Sequence, residues 1–393
     1  MANCLLTLER PMEKYKSYLH FLFAKIYKDF RRYQISKLIS WDTPPPTESG
    51  CTAIIAMCSR IPYILSGVLE CLWSSSWEEL REVVVVVDAE LGALPVGFED
   101  EIKHKLPQLK LTFLYYNHQQ AKYTTKVGDP FIYAWLSWSI GFNYARTKTV
   151  LIQDYDALVL SKEVLKKRYQ AFIESGAKIQ GVKWFGFTIG LTPEDRLATT
   201  WEAFVDVNWV RSYPPVMGYH KVGRLNGRQV CYDMYDDIQA NHTPENQRTI
   251  MPMPEEDLAH TSEMIVQYMM FKKNPGKVLP CFSVIMVPFF YWLSGREHAL
   301  TNATQALQQN NCQQVDLLAD GVLINLSLLK IIDVDWILKN IIQVMVKKDI
   351  KPFKEIIDYG TALYQACKTP PEQIWVGDFT AAQREWIQAA RAL

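Results

Sequence analysis

Residues 150–156 read Val-Leu-Ile-Gln-Asp-Tyr-Asp, a short apolar run that ends in two carboxylates. The apolar part is typical of a buried strand, because a strand covered on both faces needs apolar side chains at successive positions. Asp154 and Asp156 then stand two positions apart at the end of that strand. Carboxylate oxygens suit hard cations such as Mg2+, which proteins hold through one or two carboxylates plus substrate phosphates. The alternative is that the acids only cap a helix or favour a turn.

The residues before this strand alternate between strand-like and helical patterns. Apolar runs predict strands at residues 52–57, 83–87, 109–116 and 149–152, and helical spacing predicts helices at residues 61–73, 99–105 and 130–145. Alternation with short connections indicates an α/β fold with a mostly parallel, doubly wound sheet flanked by helices. In such sheets ligands bind beyond the carboxyl ends of the strands, which is where Asp154 and Asp156 would lie.

The remaining chain differs in pattern on either side of this sheet. Residues 1–47 predict a helix and a Pro44-Pro45-Pro46 linker, residues 48–160 the sheet, residues 161–314 a mixed second half, and residues 315–393 a helical appendage. Asn226-Gly227 between extended runs predicts a hairpin. The most apolar stretch, residues 278–293, contains two prolines and is too short to span a bilayer, so we expect core strand and turn there.

The composition is that of an ordinary globular protein. The 42 Lys and Arg residues balance the 42 Asp and Glu residues, so no nucleic-acid partner is predicted. Eight cysteines form no C-x-x-C pair, which argues against a zinc site or a disulfide framework. The N-terminus lacks the pattern of a secretory signal, which predicts a cytoplasmic protein.

Residues 11–38 carry apolar side chains at spacings of three and four, which form one stripe on a helix. The opposite face is basic, and within residues 1–38 eight Lys or Arg residues stand against three acids. Such a helix can bind an anionic surface, here the inner face of a membrane, or a partner protein. The sequence favours the alternative that the stripe packs on the chain's own core and the basic face meets solvent.

Residues 51–160 resemble the nucleotide-binding half of the GT-A glycosyltransferases, particularly the family-2-like group. The resemblance rests on order and spacing: a first strand and loop ending in Arg60, a second strand ending in Asp88, a helix carrying Gly141-Phe142-Asn143, and the D-x-D motif Asp154-Tyr155-Asp156. The sequence departs from the family pattern at Met57-Cys58-Ser59, where Pro-Tyr-Asn or Pro-Thr-Asn is usual. It departs again at Ala89-Glu90, where an acid and a Gly-Ser pair are common.

The resemblance implies an enzyme that moves a sugar from a nucleotide-diphosphate donor, a UDP-sugar above all, to a hydroxyl of a glycan, lipid or protein. It implies Mn2+ or Mg2+ as cofactor and inversion at the transferred carbon. Asp156 would bind the metal, and Asp154 the metal or the donor. The donor site would include Arg60, Asp88, Lys126, Asn143, Asp154 and Tyr155. For single residues the alternatives are a surface ion pair for Arg60, a strand-end turn for Asp88 and local packing for Asn143.

An inverting transfer needs a carboxylate that deprotonates the acceptor hydroxyl. In the resembled enzymes this acid lies beyond the metal motif at the start of a helix. Asp257 is favoured here, with Glu256 next and Asp237 as the rival, although acids at a helix N-terminus can also be purely structural. His298 and His260 are candidates to complete the metal site.

Two other functions stay open. Sugar-nucleotide pyrophosphorylases share this type of sheet but carry a glycine-rich loop after the first strand, whereas residues 56–66 contain no glycine. A non-catalytic scaffold that binds partners through its terminal helices is the third hypothesis.

Overall fold

The computed structural model of the chain describes residues 15–186, 188–279, 282–309 and 314–393. Residues 11–14 of the predicted N-terminal helix lie outside the described residues. Among the described residues the chain forms a central seven-stranded sheet, three two-stranded ribbons and helices on both faces of the sheet. The predicted α/β class with a mostly parallel sheet is confirmed.

The strands are short outside the sheet centre. They are β1 (Glu48–Met57), β2 (Leu80–Val87), β3 (Leu111–Tyr115), β4 (Thr147–Gln153), β5 (Ala157–Val159), β6 (Ile179–Gly181), β7 (Ala203–Asp206), β8 (Lys221–Leu225), β9 (Arg228–Tyr232), β10 (Arg248–Ile250), β11 (Leu258–His260), β12 (Gln314–Val315) and β13 (Ile324–Asn325).

The helices begin and end as follows. They are α1 (Tyr18–Ile35), α2 (Ile64–Ser74), α3 (Phe98–Lys105), α4 (His118–Val127), α5 (Pro130–Tyr144), α6 (Val164–Ser175), α7 (Val207–Arg211), α8 (Asp236–His242), α9 (Met264–Lys273), α10 (Val287–Leu293), α11 (Ala299–Gln309), α12 (Ile331–Lys347), α13 (Lys354–Ala366) and α14 (Ala381–Arg391).

The strand order in the sheet is β10-β6-β7-β4-β1-β2-β3. Strands β4, β1, β2 and β3 run parallel, and β7 runs antiparallel to both of its neighbours. Because β1 pairs with β2 on one side and with β4 on the other, the chain reverses its winding direction at β1. The carboxyl ends of β1 and β4 therefore border the crevice in which α/β sheets bind ligands.

Alternate residues of β1 face two separate cores. Ala53 and Ile55 pack in the core that contains α2, whereas Ile54 packs in the core that contains α5. Gly141 on α5 makes the second contact close, since a Cβ placed there would lie 2.6 Å from Ile54 Cγ2. A side chain at this position would push α5 off the sheet. Gly141, in the helix that precedes β4, therefore has a packing role.

Most predicted elements are confirmed, including the hairpin between β8 and β9, where Asn226 and Gly227 adopt φ values of 49° and 80°. The strand expected within residues 278–293 is wrong: the segment forms the 3-10 turn Ser283–Met286 and the buried helix α10. A short apolar run fits a buried helix as well as a buried strand, so periodicity alone cannot separate them. Helix α4 was not predicted.

The expected packing of α1 is also wrong. Its apolar stripe faces outward, and its basic side contacts the rest of the chain. Amphipathic spacing shows that a helix has an apolar face but not which way that face points. No helix in the described part of the chain is long and apolar enough to cross a membrane.

Candidate active site

A cavity of about 490 Å³ opens at the carboxyl ends of the parallel strands. Its lining includes Cys58 after β1, Asp88 after β2, and Asp154 and Asp156 after β4. This volume lies in the range of pockets that bind small molecules. The location is the crevice beside the winding reversal at β1, as the sequence predicted for the two acids.

His260 meets the two acids through strand pairing. Strand β11 lies antiparallel to β5, and His260 pairs in register with Ala157, the residue after Asp156. His260 Nε2 lies 3.3 Å from Asp156 Oδ1 and 3.5 Å from Asp154 Oδ2. One ligand atom from each of the three residues falls within 4.8 Å of the others. The three side chains therefore form one compact group of two carboxylates and an imidazole.

Buried groups behind the cluster fix its geometry. Glu202 is fully buried, and its Oε1 accepts hydrogen bonds from Asp154 N at 3.1 Å and Gln153 Nε2 at 3.3 Å. Arg168, also fully buried, donates from Nη1 to the backbone oxygen of Glu202 at 2.7 Å. Met264 N, at the start of α9, donates to Asp156 Oδ2 at 3.1 Å. The acids are held in place before any ligand arrives.

The electrostatics of the cluster are those of crowded, enclosed carboxylates. Burial, reinforced by the charge of Glu202, raises the pKa of Asp154 well above its usual range. Burial opposes charging of His260, but Asp156, Glu202 and Asp154 outweigh it and raise the pKa of His260 to about 9. Three carboxyl groups thus crowd around one imidazole, and a bound divalent cation would stabilise their charged forms.

The residues present fit a divalent cation. His260 Nε2 is buried and has no hydrogen-bond partner among the described residues, despite its nearness to both carboxylates. An unpartnered buried nitrogen costs free energy unless something binds it. Two carboxylate oxygens and one imidazole on one side, with the cavity on the other, leave coordination positions open for a substrate. Mg2+ takes oxygen ligands, whereas a mixed oxygen and nitrogen set suits Mn2+ better.

Asp88 lies at the other side of the crevice with both oxygens engaged. Oδ1 accepts from Ser59 N at 2.7 Å, and Oδ2 accepts from Arg60 Nη1 at 2.9 Å. Arg60 Nη2 donates in turn to Tyr133 OH at 3.1 Å. Each carboxylate oxygen can accept a second bond, so Asp88 can still receive donors from a ligand in the cavity.

A further acid outside the cluster, Asp233, also lines the cavity. Asp233 forms a short hydrogen bond with His220 Nε2 and accepts another from Met234 N at 2.8 Å. Burial alone would raise the pKa of Asp233, but the charge and hydrogen bond of His220 lower it. The ring of Phe131 packs on His220 with centroids 4.4 Å apart.

Strained backbone surrounds the cluster. Ser262 and Glu263, directly after β11, have φ values of 59° and 58°, and Glu202 has 43°. Non-glycine residues adopt this left-handed region at a cost and concentrate at functional sites. Glu263 lines the cavity and immediately precedes Met264, whose amide holds Asp156. The turn that carries Glu263 is therefore fixed to the cluster.

Of the predicted donor residues, Asp154, Asp156 and Asp88 come together at the cavity. Tyr155 contributes to the lining, but its hydroxyl donates into the core, to Ile61 O at 2.9 Å and Pro62 O at 3.0 Å. Arg60 reaches the site through Asp88.

The other predicted residues lie elsewhere. Lys126 is exposed in the last turn of α4, and His298 is exposed between α10 and α11. Asn143 bonds to Asp42 and Thr43 in the linker before β1, which matches the local-packing alternative.

In the described part of the chain the cavity lining includes none of the three acids predicted as candidate bases. Asp257 lies 3.0 Å from Lys347 Nζ in an ion pair, and Glu256 is exposed. Asp237 is buried against Lys221, whose Nζ lies 2.8 Å from Oδ1. The lining instead includes Asp233, from the same acidic stretch as Asp237, and Glu263, which was not predicted. Glu202 behind the cluster was also missed, because it precedes the four-residue strand β7, which leaves almost no local pattern in the sequence.

No protein-family model matches the chain, and no curated protein matches it either. Among solved structures it is similar to a mannosyltransferase of Pyrobaculum calidifontis in complex with GDP-Man and Mn2+, with a TM-score of 0.34 and 16% identity over 73% of this chain and 86% of that one. It is also similar to Staphylococcus aureus TarS 1–349, with a TM-score of 0.34 and 13% identity over 87% of this chain and 91% of that one. The same TarS segment in complex with UDP-GlcNAc gives a TM-score of 0.31 and 12% identity over 87% and 92%. At such TM-scores these likenesses carry no functional conclusion.

Proposed function

We propose that this chain is a metal-dependent glycosyltransferase that takes its sugar from a nucleotide-diphosphate donor, with a UDP-sugar favoured. The observation that carries the proposal is the cluster of Asp154, Asp156 and His260 at the carboxyl end of β4, open to a cavity at the winding reversal of the sheet. A bound Mn2+ or Mg2+ there would bridge to the diphosphate and neutralise the charge that develops on the departing nucleotide.

The ligand roles follow from how each side chain is held. Asp156 is fixed by Met264 N through Oδ2, which leaves Oδ1 facing His260 Nε2, so Asp156 and His260 are the firmer metal ligands. Asp154 has 27% of its side chain exposed and can bind either the metal or a hydroxyl of the donor. We therefore place His260, rather than the distant His298, in the metal site.

Asp88 is suited to the nucleoside end of the donor. Its carboxylate is anchored by Ser59 N and Arg60 and lines the cavity across the crevice from the acid cluster. A base N–H or a ribose hydroxyl would find there a fixed acceptor with lone pairs to spare. The guanidinium of Arg60 then orients Asp88 rather than pairing with phosphate itself. A donor whose nucleoside end binds Asp88 would extend its diphosphate towards the acid cluster after β4.

Glu263 is the residue that we propose as base. Its carboxylate would accept the proton of the acceptor hydroxyl while that oxygen attacks the anomeric carbon and the bond to the nucleotide diphosphate breaks. Glu263 lines the cavity, and the amide of the next residue holds Asp156, which places it beside the metal ligands. Asp233 also lines the cavity, but the charge and hydrogen bond of His220 and the hydrogen bond from Met234 N lower its pKa, which makes it a poor proton acceptor.

The acceptor side of the cavity is partly aromatic. Trp201 packs edge-on against His260 with ring centroids 5.1 Å apart, and Phe131, also in the lining, packs on His220. Flat apolar rings offer surfaces against which sugar C–H faces can stack. We propose a hydroxyl of a glycan, lipid or protein as acceptor.

Binding of a nucleoside diphosphate tests this proposal. Calorimetry with UDP should show binding that strengthens at least about tenfold when Mn2+ is added, because the metal links the phosphates to the acid cluster. The Asp156→Ala variant should bind UDP no more tightly with Mn2+ than without it. Asp378→Ala, an exposed acid in the C-terminal region, is the matched control and should bind as the unchanged chain does.

Two outcomes would contradict the proposal. Failure of both UDP and GDP to bind with or without Mn2+ would favour a non-catalytic scaffold. Release of pyrophosphate from a nucleoside triphosphate and a sugar phosphate would instead identify a pyrophosphorylase.

A further inference from the structure

Helix α1 carries a large apolar surface that the rest of the described chain does not cover. Seven of the eighteen large apolar residues that are exposed in the described part of the chain lie on this helix, each 55 to 70% exposed. They are Tyr18, Leu19, Phe23, Ile26, Tyr27, Phe30 and Tyr33. With side chains of this size the exposed stripe amounts to roughly 700 Å², more than the few hundred Å² usual for the largest patch on a monomer.

The opposite side of α1 fixes this orientation. Phe21 and Ile35 are buried against the domain. Arg32 Nη1 donates to the backbone oxygen of Tyr219 at 2.5 Å, and Lys28 Nζ lies 5.5 Å from the centre of the Tyr219 ring. Rotating the helix to bury its stripe would break these contacts and expose two core side chains. The stripe therefore faces outward as part of the folded structure.

Exposed lysines border the stripe at both of its ends. Residues 15–38 contain six Lys or Arg residues and one acid, and of the six, Lys28 and Arg32 contact the domain instead. Lys16 and Lys37 are exposed at the two ends of the helix, and Lys25 lies along it in an ion pair with Asp29. Tyr18, Tyr27 and Tyr33 combine an apolar ring with a polar hydroxyl, as do the aromatic residues that proteins place at membrane interfaces.

We propose that α1 binds an anionic lipid bilayer, lying in the plane of its surface. The apolar stripe would enter the acyl boundary, while Lys16 and Lys37 meet the headgroups. The helix is about 27 Å long, enough for an in-plane anchor. A second copy of the chain fits the stripe less well, because two facing helices would bring together the exposed Lys16 and Lys37 of both copies, while Asp29, the one acid in residues 15–38, is already paired with Lys25. An anionic surface instead neutralises these exposed lysines.

The contact also bears on the cavity. Tyr219, which Arg32 and Lys28 of α1 contact, directly precedes His220, a residue of the cavity wall. Helix α1 would therefore lie between the bilayer and the segment that carries this part of the wall. This inference uses none of the metal or donor residues, so it can fail while the proposed activity stands, and the reverse.

Sedimentation of the full chain with vesicles tests the proposal. Vesicles of phosphatidylcholine with one third phosphatidylglycerol should bind the chain more strongly than vesicles of phosphatidylcholine alone. The double variant Phe23→Glu, Phe30→Glu should partition at least about tenfold more weakly for each residue replaced, because both apolar contacts are lost. Both side chains are exposed, at 70% and 57%, so the fold should persist by circular dichroism.

Matched controls separate the stripe from apolar exposure in general. Ile173→Glu with Val376→Glu changes two residues that are 52% and 68% exposed away from α1, and binding should stay unchanged. Lys16→Glu with Lys37→Glu should remove the preference for anionic vesicles. Equal binding by the chain and the Phe23, Phe30 variant would overturn the proposal, as would failure of the chain to bind either vesicle. A lipid-free dimer that this variant converts to monomer, without vesicle binding, would assign the stripe to a second copy instead.

Discussion

Two groups of buried acids lie close to the cavity, and they differ in how their charge is balanced. After β9, Asp237 contacts Lys221 Nζ through both oxygens, at 2.8 and 2.9 Å, and Asp233 is hydrogen-bonded to His220. After β4, Asp154 and Asp156 face His260 at 3.3 to 3.5 Å, and Glu202 Oε2 lies 3.8 Å from His260 Nδ1 with no hydrogen-bond partner among the described residues. In the first group Asp233 and Asp237 are each paired with a basic side chain. In the second, three carboxyl groups share the single imidazole of His260, an excess of acid that a bound divalent cation would balance.

The largest effect on activity is expected from replacing Asp156, one of the two acids after β4. Asp156→Ala should lower sugar transfer from a nucleotide-sugar donor at least about a thousandfold, because a metal ligand fixed by the start of α9 is lost. The measurement is turnover with Mn2+ at saturating donor, alongside a thermal melt that checks the fold. Turnover within a few fold of the unchanged chain would remove the metal site from the mechanism.

Glu263→Gln should come next, with a fall in kcat of about 10² to 10⁴, since the amide cannot accept the acceptor's proton. Calorimetry should find UDP and Mn2+ binding nearly unchanged, which separates a role in proton transfer from a role in donor binding. Glu245→Gln, an ion-paired surface acid, is the matched control. A comparable fall in Asp257→Asn, with Glu263→Gln fully active, would restore the base favoured from the sequence.

Glu202→Gln should have a smaller effect that acts through the metal. The variant can keep the hydrogen bond to Asp154 N but loses a buried charge 3.8 Å from His260 Nδ1. Groups that orient metal ligands typically change metal affinity about 10- to 100-fold. Titration of Mn2+ without nucleotide, followed by electron paramagnetic resonance, should show a dissociation constant for Mn2+ that is larger by that factor. An unaltered constant would mean that Glu202 supports only the fold.

Asp237→Asn should have the smallest effect on the site and a visible one on stability. Removing the charge leaves Lys221 without its carboxylate partner, which should lower the free energy of unfolding by about 1–3 kcal/mol. Denaturant unfolding measures this loss, and the Mn2+ titration should match that of the unchanged chain. Weaker Mn2+ binding by this variant would show that the two acidic groups are coupled rather than independent.

The features that could be predicted from the sequence are local. Strands β1 to β4 are runs of apolar residues, and Asp154 and Asp156 follow β4 directly, so the sheet and its acidic edge could be identified from periodicity. His260 and Glu202 reach the cluster through β11 and β7, strands of three and four residues whose partners are distant in the chain. Such pairings leave almost no local pattern in the sequence. His298 was therefore a candidate metal ligand and Asp257 the favoured base, because nothing local pointed to the residues that reach the cluster.

The helix α1 shows a different limit. Its stripe of apolar residues was evident in the sequence, yet its direction depends on what Arg32 and Lys28 contact, nearly two hundred positions away in the chain. Burying apolar side chains normally stabilises a fold more than surface contacts of basic side chains do, so the opposite packing was the natural expectation. The side that binds the domain is instead set by two buried residues and the basic contacts.

The central claim is that Asp156 and His260 hold a divalent cation at the carboxyl end of β4. A crystal structure of the chain with UDP and Mn2+, with anomalous data collected at the manganese edge, tests it most directly. We expect one anomalous peak about 2.0–2.4 Å from an Asp156 oxygen and from His260 Nε2, with UDP phosphate on its cavity side. An anomalous peak elsewhere, or bound UDP with no metal between it and Asp156, would rule out this metal site.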